Sequence, residues 1–329
     1  MASVATAHRV LLPTPSGAAP SATLRKVTFP ALGTKCEVQY VAANDAQARE
    51  FEEDAVAWVQ AFEAKYSRLK PDSLLSRINA AAGREWIEVD AEMEQMLKLC
   101  DTLHFMTQGL LDPTAVPLVD LWNRKAENAR LPTSDEIAAA RQLVGWKKVQ
   151  RNAAAIFLPE AGMALDFVGF SKEFAVDRVA QLAVDHGIAH VLVDFGHGFR
   201  ALGAPPGRTA WRVSLEDPLR PGTYSASVAM TEKGMASLGD NARGFTLYGR
   251  RFGQILDPRT GSPVNNGCVQ ATVIAGTCLQ ARILSTSAFV LGIQKGLEFI
   301  QASPGAEGLL VTANVRAHTR NFLSYVVSS

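Results

Sequence analysis

The chain has 329 residues, 47% hydrophobic and 20% charged, with 33 Lys plus Arg against 32 Asp plus Glu for a net charge of +1. That composition excludes disordered, collagen-like and coiled-coil chains, and the charge balance argues against a nucleic-acid partner. The length allows one large domain or two intimate ones. Four cysteines, at 36, 100, 268 and 278, match no zinc or thioredoxin-like spacing. Cys36, Cys100 and Cys278 fall in apolar segments, where a free thiol acts as a small core hydrophobe. No apolar run is long enough for a membrane-spanning helix.

The first residues are Ala-, Ser-, Thr- and Pro-rich and lack acids. Val10–Leu12 is too short for a signal-peptide core, and Pro13 and Pro15 break it. Residues 1–26 are expected to be a disordered tail, residues 27–329 the folded domain, and the cytoplasm the location.

From Val27 the pattern becomes globular. Strands are predicted at Val27–Phe29 and Cys36–Val41 around a turn at Gly33. Phe51, Val56, Val59, Phe62 and Tyr66 recur at helical spacing through residues 45–66. A short helix over Ser73–Asn79 follows, and Asp90 caps another that runs to Thr107. Ser134–Leu143 is helical, with Asp135 and Glu136 in its first turn. Strands are then expected at Lys148–Arg151, Ala155–Leu158 and Met163–Phe167. A helix from Ser171 to His186 ends at Gly187, before a strand at Val191–Phe195. Further strands are read at Trp211–Leu215, Ser225–Met230, Phe245–Leu247 and Val269–Ile274. Helices Leu279–Leu291 and Gln294–Ala302 precede closing strands at Gly308–Ala313 and Phe322–Val327. Strands and helices come in blocks without βαβ alternation, which favours an α+β fold.

No dinucleotide-binding glycine motif, Walker loop, HExxH or GxSxG is present. Gly196-His197-Gly198 after VLVDF is either a tight turn or a place where a ligand approaches the backbone, with His197 exposed and reactive or merely incidental. Asp112-Pro113-Thr114 and Asp257-Pro258-Arg259-Thr260-Gly261 are acid–proline turns, which often serve structure alone. Asp166, Lys172 and Asp177 surround a strand-to-helix junction that suits either a phosphate or a solvated first turn. Arg282 and Thr286 share one helix face.

These fragments share an order with a known family. ALGTKCEVQY, YSRLKPDSLLSRIN, TQGLLDPTAVPLVDLW, LDFVGFSKEFAVDRVAQLAVDHGIAHVLVDFGHGFRALG, ILDPRTGSPV and ARILSTSAFVLG together resemble the ApbE family, the FAD:protein FMN transferases, over about residues 27–328. The resemblance implies a single α+β, T-fold-related unit with mixed or antiparallel sheets packed against helices. It implies FAD bound in a cleft, Mg²⁺ at the pyrophosphate, and transfer of FMN to a threonine or serine of an acceptor flavoprotein. By the same resemblance, Asp166 and Lys172 contact FAD, Gly169 offers a carbonyl to the metal and Thr286 its hydroxyl. Leu32, Leu69, Leu110, Leu111, Asp112, Gln254 and Leu256 occupy positions that line the flavin nucleotide.

The departures cluster on that cleft. Arg282 stands where the family has an aspartate metal ligand, Gln254 where it has a histidine, and Leu69 where it has an aromatic residue. Leu32 replaces a methionine, Leu111 a phenylalanine, and Leu238 a serine. Lys172-Glu173-Phe174 replaces Lys-Gly-Tyr, and Gly196-His197-Gly198 replaces Gly-Gly-Asp. A site that loses its carboxylate is expected to lose Mg²⁺, with Arg282 moving into the vacated position or swinging out to a surface acid. Without an aromatic at residue 69, FAD is expected to bind weakly. Three readings follow: a transferase with a rearranged site, a non-catalytic FAD or diphosphate binder serving as carrier or partner subunit, and a repurposed enzyme using His197 and Glu173.

Overall fold

A computed structural model describes residues 23–220, 222–239 and 244–327. Of the tail expected over residues 1–26, residues 1–22 lie outside the described part. Thr23–Lys26 belong to the first strand, so the folded unit begins earlier than expected.

β1 (Thr23–Ala31) and β2 (Thr34–Ala42) form a hairpin in which Ala31 pairs with Thr34. The two linking residues, Leu32 and Gly33, have φ of 53° and 69°. That is the mirror-image turn whose twist matches the strands, although it forces a leucine into the left-handed region. Asn44 caps α1 (Asp45–Tyr66) and Ser73 caps α2 (Leu74–Ala80), each through its side chain. After β3 (Ile87–Glu88), Asp90 caps α3 (Ala91–Thr107) as expected. α4 (Val116–Glu127) follows, and a Thr133–Glu136 capping box opens α5 (Ser134–Gln142). β4 (Gln150–Arg151) and β5 (Ala155–Phe157) join β3 in a small sheet.

The second half contains α6 (Ser171–Asp185), β6 (Val191–Asp194), β7 (Gly198–Leu202), β8 (Trp211–Glu216), β9 (Tyr224–Met230) and β10 (Lys233–Gly239). β11 (Phe245–Leu247) and β12 (Arg250–Phe252) form one short hairpin, and β13 (Leu256–Asp257) and β14 (Ser262–Pro263) another. β15 (Cys268–Ala275), α7 (Cys278–Leu291), α8 (Ile293–Gln301), β16 (Glu307–Thr312), β17 (Arg316–His318) and β18 (Val326–Val327) complete the described chain.

The main sheet has eight antiparallel strands in the order β1-β2-β6-β7-β10-β15-β16-β17. Alternation along β6 shows how it is covered on both faces. Val191 and Val193 pack with α1 and α6 residues such as Phe51, Val176 and Val179. Leu192 points the other way, against Trp211, Val213 and Val228 of the small sheet β18-β9-β8. α7 and α8 lie against β10, β15 and β16 around Leu284, Phe289 and Ile300. The result is an α+β fold of helices, sheet and second sheet. No helix among the described residues is long and apolar enough to cross a membrane.

Several expectations need correction. Met163–Phe167 is not a strand: Leu165 exchanges both backbone bonds with the Asn79 side-chain amide, at 2.7 and 2.9 Å, leaving no ladder to join. Residues 146–148 form a 3-10 turn before β4, and Phe322–Tyr325 forms another before β18. α4, β7 and β10 were not anticipated. α4 carries Pro117 in its first turn and lacks a side-chain cap, and β10 is rich in small residues.

Candidate functional site

The site grows from the loop before α6 and the turn after β6. Gly196 and His197 both have left-handed φ, 67° and 65°. A Cβ on Gly196 would stand 2.6 Å from Thr34 Oγ1, so only glycine lets this turn nest against the β1–β2 turn. Lys172, in the first turn of α6, donates from Nζ to the carbonyl oxygens of Phe195, at 3.0 Å, and Gly196. Its ammonium therefore fastens the turn. His197 is exposed, and its carbonyl accepts from Ser237 N at 2.8 Å.

Ahead of α6, Asp166 accepts Val168 N at 2.9 Å and pairs with Arg68 Nε at 2.5 Å. Arg68 reaches on to Asp120 of α4 at 3.3 Å, and Asp166 N donates to Pro113 O at 2.9 Å. These contacts join the end of α1, the start of α4 and the approach to α6 around one ion-pair chain. Leu69 and Val168 beside it are 81% and 71% exposed, leaving an apolar rim.

Arg282 crosses from α7 to that approach. Its Nε donates to Gly169 O at 3.0 Å and lies 3.8 Å from Glu173 Oε1. Glu173 is 1% exposed, with Lys172 Nζ 3.6 Å away, and its Oε2 has no hydrogen-bond partner among the described residues. The carboxylate stem packs over Gly198, where a Cβ would come within 3.3 Å of Glu173 Cγ. Thr286, one helical turn beyond Arg282, has a buried Oγ1 that is also without a partner among the described residues.

The residues around Gly169 do not fit Mg²⁺. The ion takes oxygen ligands in near-octahedral geometry, and here the Gly169 carbonyl already holds a permanently charged guanidinium. No group of three His, Cys, Asp or Glu side chains among the described residues could hold a metal.

The remaining expected residues fall in different places. Leu111 Cδ2 would lie 3.5 Å from a Cβ on Gly169, so it joins the Arg282 region, while Leu110 is buried. Leu32 donates its backbone N–H to Glu63 Oε1 at 3.0 Å. Asp112 turns inward: it accepts Thr114 N at 2.8 Å, the Thr114 hydroxyl at 2.6 Å and Trp146 N at 3.1 Å. Gln254 and Leu256 line a separate cavity of about 240 Å³ with Val119, Trp122 and Phe245. Sequence reasoning singled out neither the Arg68–Asp166–Asp120 chain nor the placement of Glu173. Arg68 stands in the quoted YSRLKPD stretch, and an acid directly after Lys172 was the visible signal for Glu173.

α7 is anchored at its start by Asp177 of α6, which accepts Cys278 N and Leu279 N at 2.9 Å each. Burial pushes the Asp177 carboxyl above its ordinary value, against the pull of these bonds. The anchor holds α6 against α7 and so sets the distance Arg282 must cross.

A family model described as the ApbE family matches residues 32–310. The chain belongs to the ApbE family. Among similar ApbE proteins, the FAD:protein FMN transferase of Haemophilus influenzae is 30% identical over 291 residues, 85% of this chain and 84% of that protein. The FAD:protein FMN transferase of Salmonella typhimurium is 30% identical over 289 residues, 85% and 81% of the two chains. The crystal structure of the ApbE protein of Thermotoga maritima superposes with a TM-score of 0.83 at 27% identity, covering 93% of this chain and all of that one. The apo flavinyl transferase ApbE of Pseudomonas stutzeri gives 0.80 at 25% identity, covering 94% and 98%.

Proposed function

We propose that this ApbE-family chain binds FAD in the cleft between the Leu32–Thr34 turn, the Asp166–Lys172 approach and α7, and that metal-dependent transfer of FMN is impaired. The observation that carries the reading is the Arg282 Nε–Gly169 O bond of 3.0 Å, which puts a fixed cation where the family resemblance implies Mg²⁺. The named transferase activity of the relatives supports flavin-nucleotide chemistry in this cleft.

In this reading Arg282 faces the diphosphate with its terminal nitrogens, which have no hydrogen-bond partner among the described residues. A guanidinium fork suits phosphate oxygens, so it can bind and orient the diphosphate. Lys172 holds the 195–196 turn in place, and Asp166 fixes Arg68 at the cleft edge. Leu32, Leu69 and Leu111 are proposed to line the nucleotide path, Leu110 and Asp112 to back it from the interior, and Gln254 and Leu256 to receive its far end in their own cavity. Asp112 backs it through the turn it shapes. Arg282 carries one charge and accepts no oxygen ligand, so the several kcal/mol that a Lewis acid contributes to the transition state, roughly, is missing. Leucine at residue 69 forgoes stacking worth about 0.5–1.5 kcal/mol, which makes FAD binding weaker. The acceptor, where one is used, is a threonine- or serine-bearing flavoprotein; otherwise the chain acts as a flavin carrier or partner subunit.

The test is to titrate the purified protein with FAD, then incubate it with FAD, Mg²⁺ and a threonine-bearing acceptor domain. Saturable FAD binding with no flavin fluorescence on the denatured acceptor is expected. Rapid Mg²⁺-dependent labelling overturns the impaired-transfer half of the reading, and absence of FAD binding overturns the other half.

A further inference from the structure

At the α6–α7 junction the Arg282 guanidinium lies between the Gly169 carbonyl and the Glu173 carboxylate. Glu173 is 1% exposed, and a carboxylate so placed needs a cation beside it. Lys172 is 3.6 Å away, but its Nζ is directed to the carbonyls of Phe195 and Gly196. Arg282 therefore supplies the compensating charge, 3.8 Å from Glu173 Oε1, while donating to Gly169 O. Two further oxygens, Glu173 Oε2 and Thr286 Oγ1, are buried and have no partner among the described residues. Buried polar atoms rarely go unpaired; Glu173 stands beside Arg282, and Thr286 lies one helical turn beyond it on α7.

We propose that Arg282 is a tethered cation filling an oxygen-lined cation site, and that Glu173 is the anionic member of that site. The acid and the cation have exchanged helices: α7, which in the family pattern carries an aspartate at this position, carries the positive charge, and α6 carries the carboxylate in place of a glycine. The two departures from the family pattern are thus one change. Removing the guanidinium alone exposes a divalent-cation site built of the Glu173 carboxylate, the Gly169 carbonyl and the Thr286 hydroxyl, with water completing the shell. Three hard oxygen donors, one of them anionic, match what Mg²⁺ and Mn²⁺ accept.

This proposal deepens the metal half of the functional reading, but its test uses no nucleotide. Mn²⁺ binding, followed by electron paramagnetic resonance and calorimetry, is compared for the unmutated protein, Arg282→Ala, and Arg282→Ala combined with Glu173→Gln. The unmutated protein is expected to bind Mn²⁺ only weakly, Arg282→Ala about a hundredfold more tightly once the like charge is gone, and the double variant to lose that gain. Thermal melts should show Mn²⁺ raising the midpoint of Arg282→Ala only. Equal Mn²⁺ affinity in the unmutated protein and Arg282→Ala overturns the proposal, as does a gain that survives Glu173→Gln. Arg282→Met, which keeps the side-chain stem, replaces Arg282→Ala should the latter fail to fold. If neither variant folds even with Mn²⁺ present, a metal cannot replace the guanidinium and the proposal falls. FAD binding plays no part in these outcomes, so the nucleotide reading and the cation reading fail separately.

Discussion

At the two acid–proline turns each carboxylate oxygen has a hydrogen-bond donor, whereas at Glu173 one oxygen has none among the described residues. Asp112 gathers Thr114 and Trp146, and Asp257 takes the backbone N–H and guanidinium of Arg259 at 2.7–3.3 Å. Glu173 has ion contacts at 3.6 and 3.8 Å through Oε1 and no hydrogen bond at Oε2 among the described residues. The turns use their charge to fix loop geometry. At the α6–α7 junction the carboxylate has ion contacts to Lys172 and Arg282 in place of hydrogen bonds, and those two cations offset its burial.

The comparison is broken most strongly at Arg282. Arg282→Ala removes one of the two cations within 4 Å of Glu173, and denaturant unfolding without divalent metal should show a loss of about 3 kcal/mol, the low end for a severed buried pair because the arginine is 18% exposed. A loss indistinguishable from zero would mean that Lys172 alone neutralises Glu173. Asp112→Ala removes the acceptor for Thr114 N and Trp146 N, both on buried residues, and should cost about 2 kcal/mol. An unchanged unfolding midpoint would return Asp112 to a purely ligand-binding role. Thr286→Val keeps the shape and deletes an unpartnered hydroxyl, so stability should hold or rise by up to about 1 kcal/mol. A clear loss would place an unrecognised partner on that hydroxyl.

The smallest effect is a pH slope. Burial pushes the Asp257 carboxyl up, but its bonds to Arg259 outweigh this and hold it below 3.8. A depressed carboxyl adds stability that is fully present above the unfolded value and disappears as pH falls through the folded one. Asp257→Asn should therefore flatten the acid limb of the stability curve below about pH 4, in a series of melts across that range. An unaltered acid limb would show that Arg259 contributes nothing in solution.

Much of the helical frame was legible because local rules decide it. Asp90 and the α3 periodicity mark that helix directly, and residues 45–66 coincide with α1. Met163–Phe167 was misread because its alternation is real, yet the backbone partner is the side chain of Asn79, which no local pattern reveals. α4 escaped for want of a capping side chain, and β10 because Gly234, Ala236 and Gly239 carry no strand signal. At the candidate site, the family pattern marked Gly169, Arg282 and Thr286, and the structure puts the arginine on the glycine carbonyl. What sequence could not supply was distance. Glu173 and Arg282 lie on different helices, and the packing of those helices, with the Asp177 anchor between them, brings the two within 4 Å.

The strand order of the main sheet has a consequence for how the chain acquires its structure. Every neighbour in that sheet is a later strand than the one before it, so on a ribosome each strand meets an edge that has already been made. The small sheet does not follow this rule. Val326 and Val327 pair with Val228 and Ser227 in β9, so that strand waits for the end of the described chain before its outer edge is covered. Until then β9 presents unpaired backbone beside Trp211 and Val213, a long-range closure that is slow by topology and open to pairing with other chains.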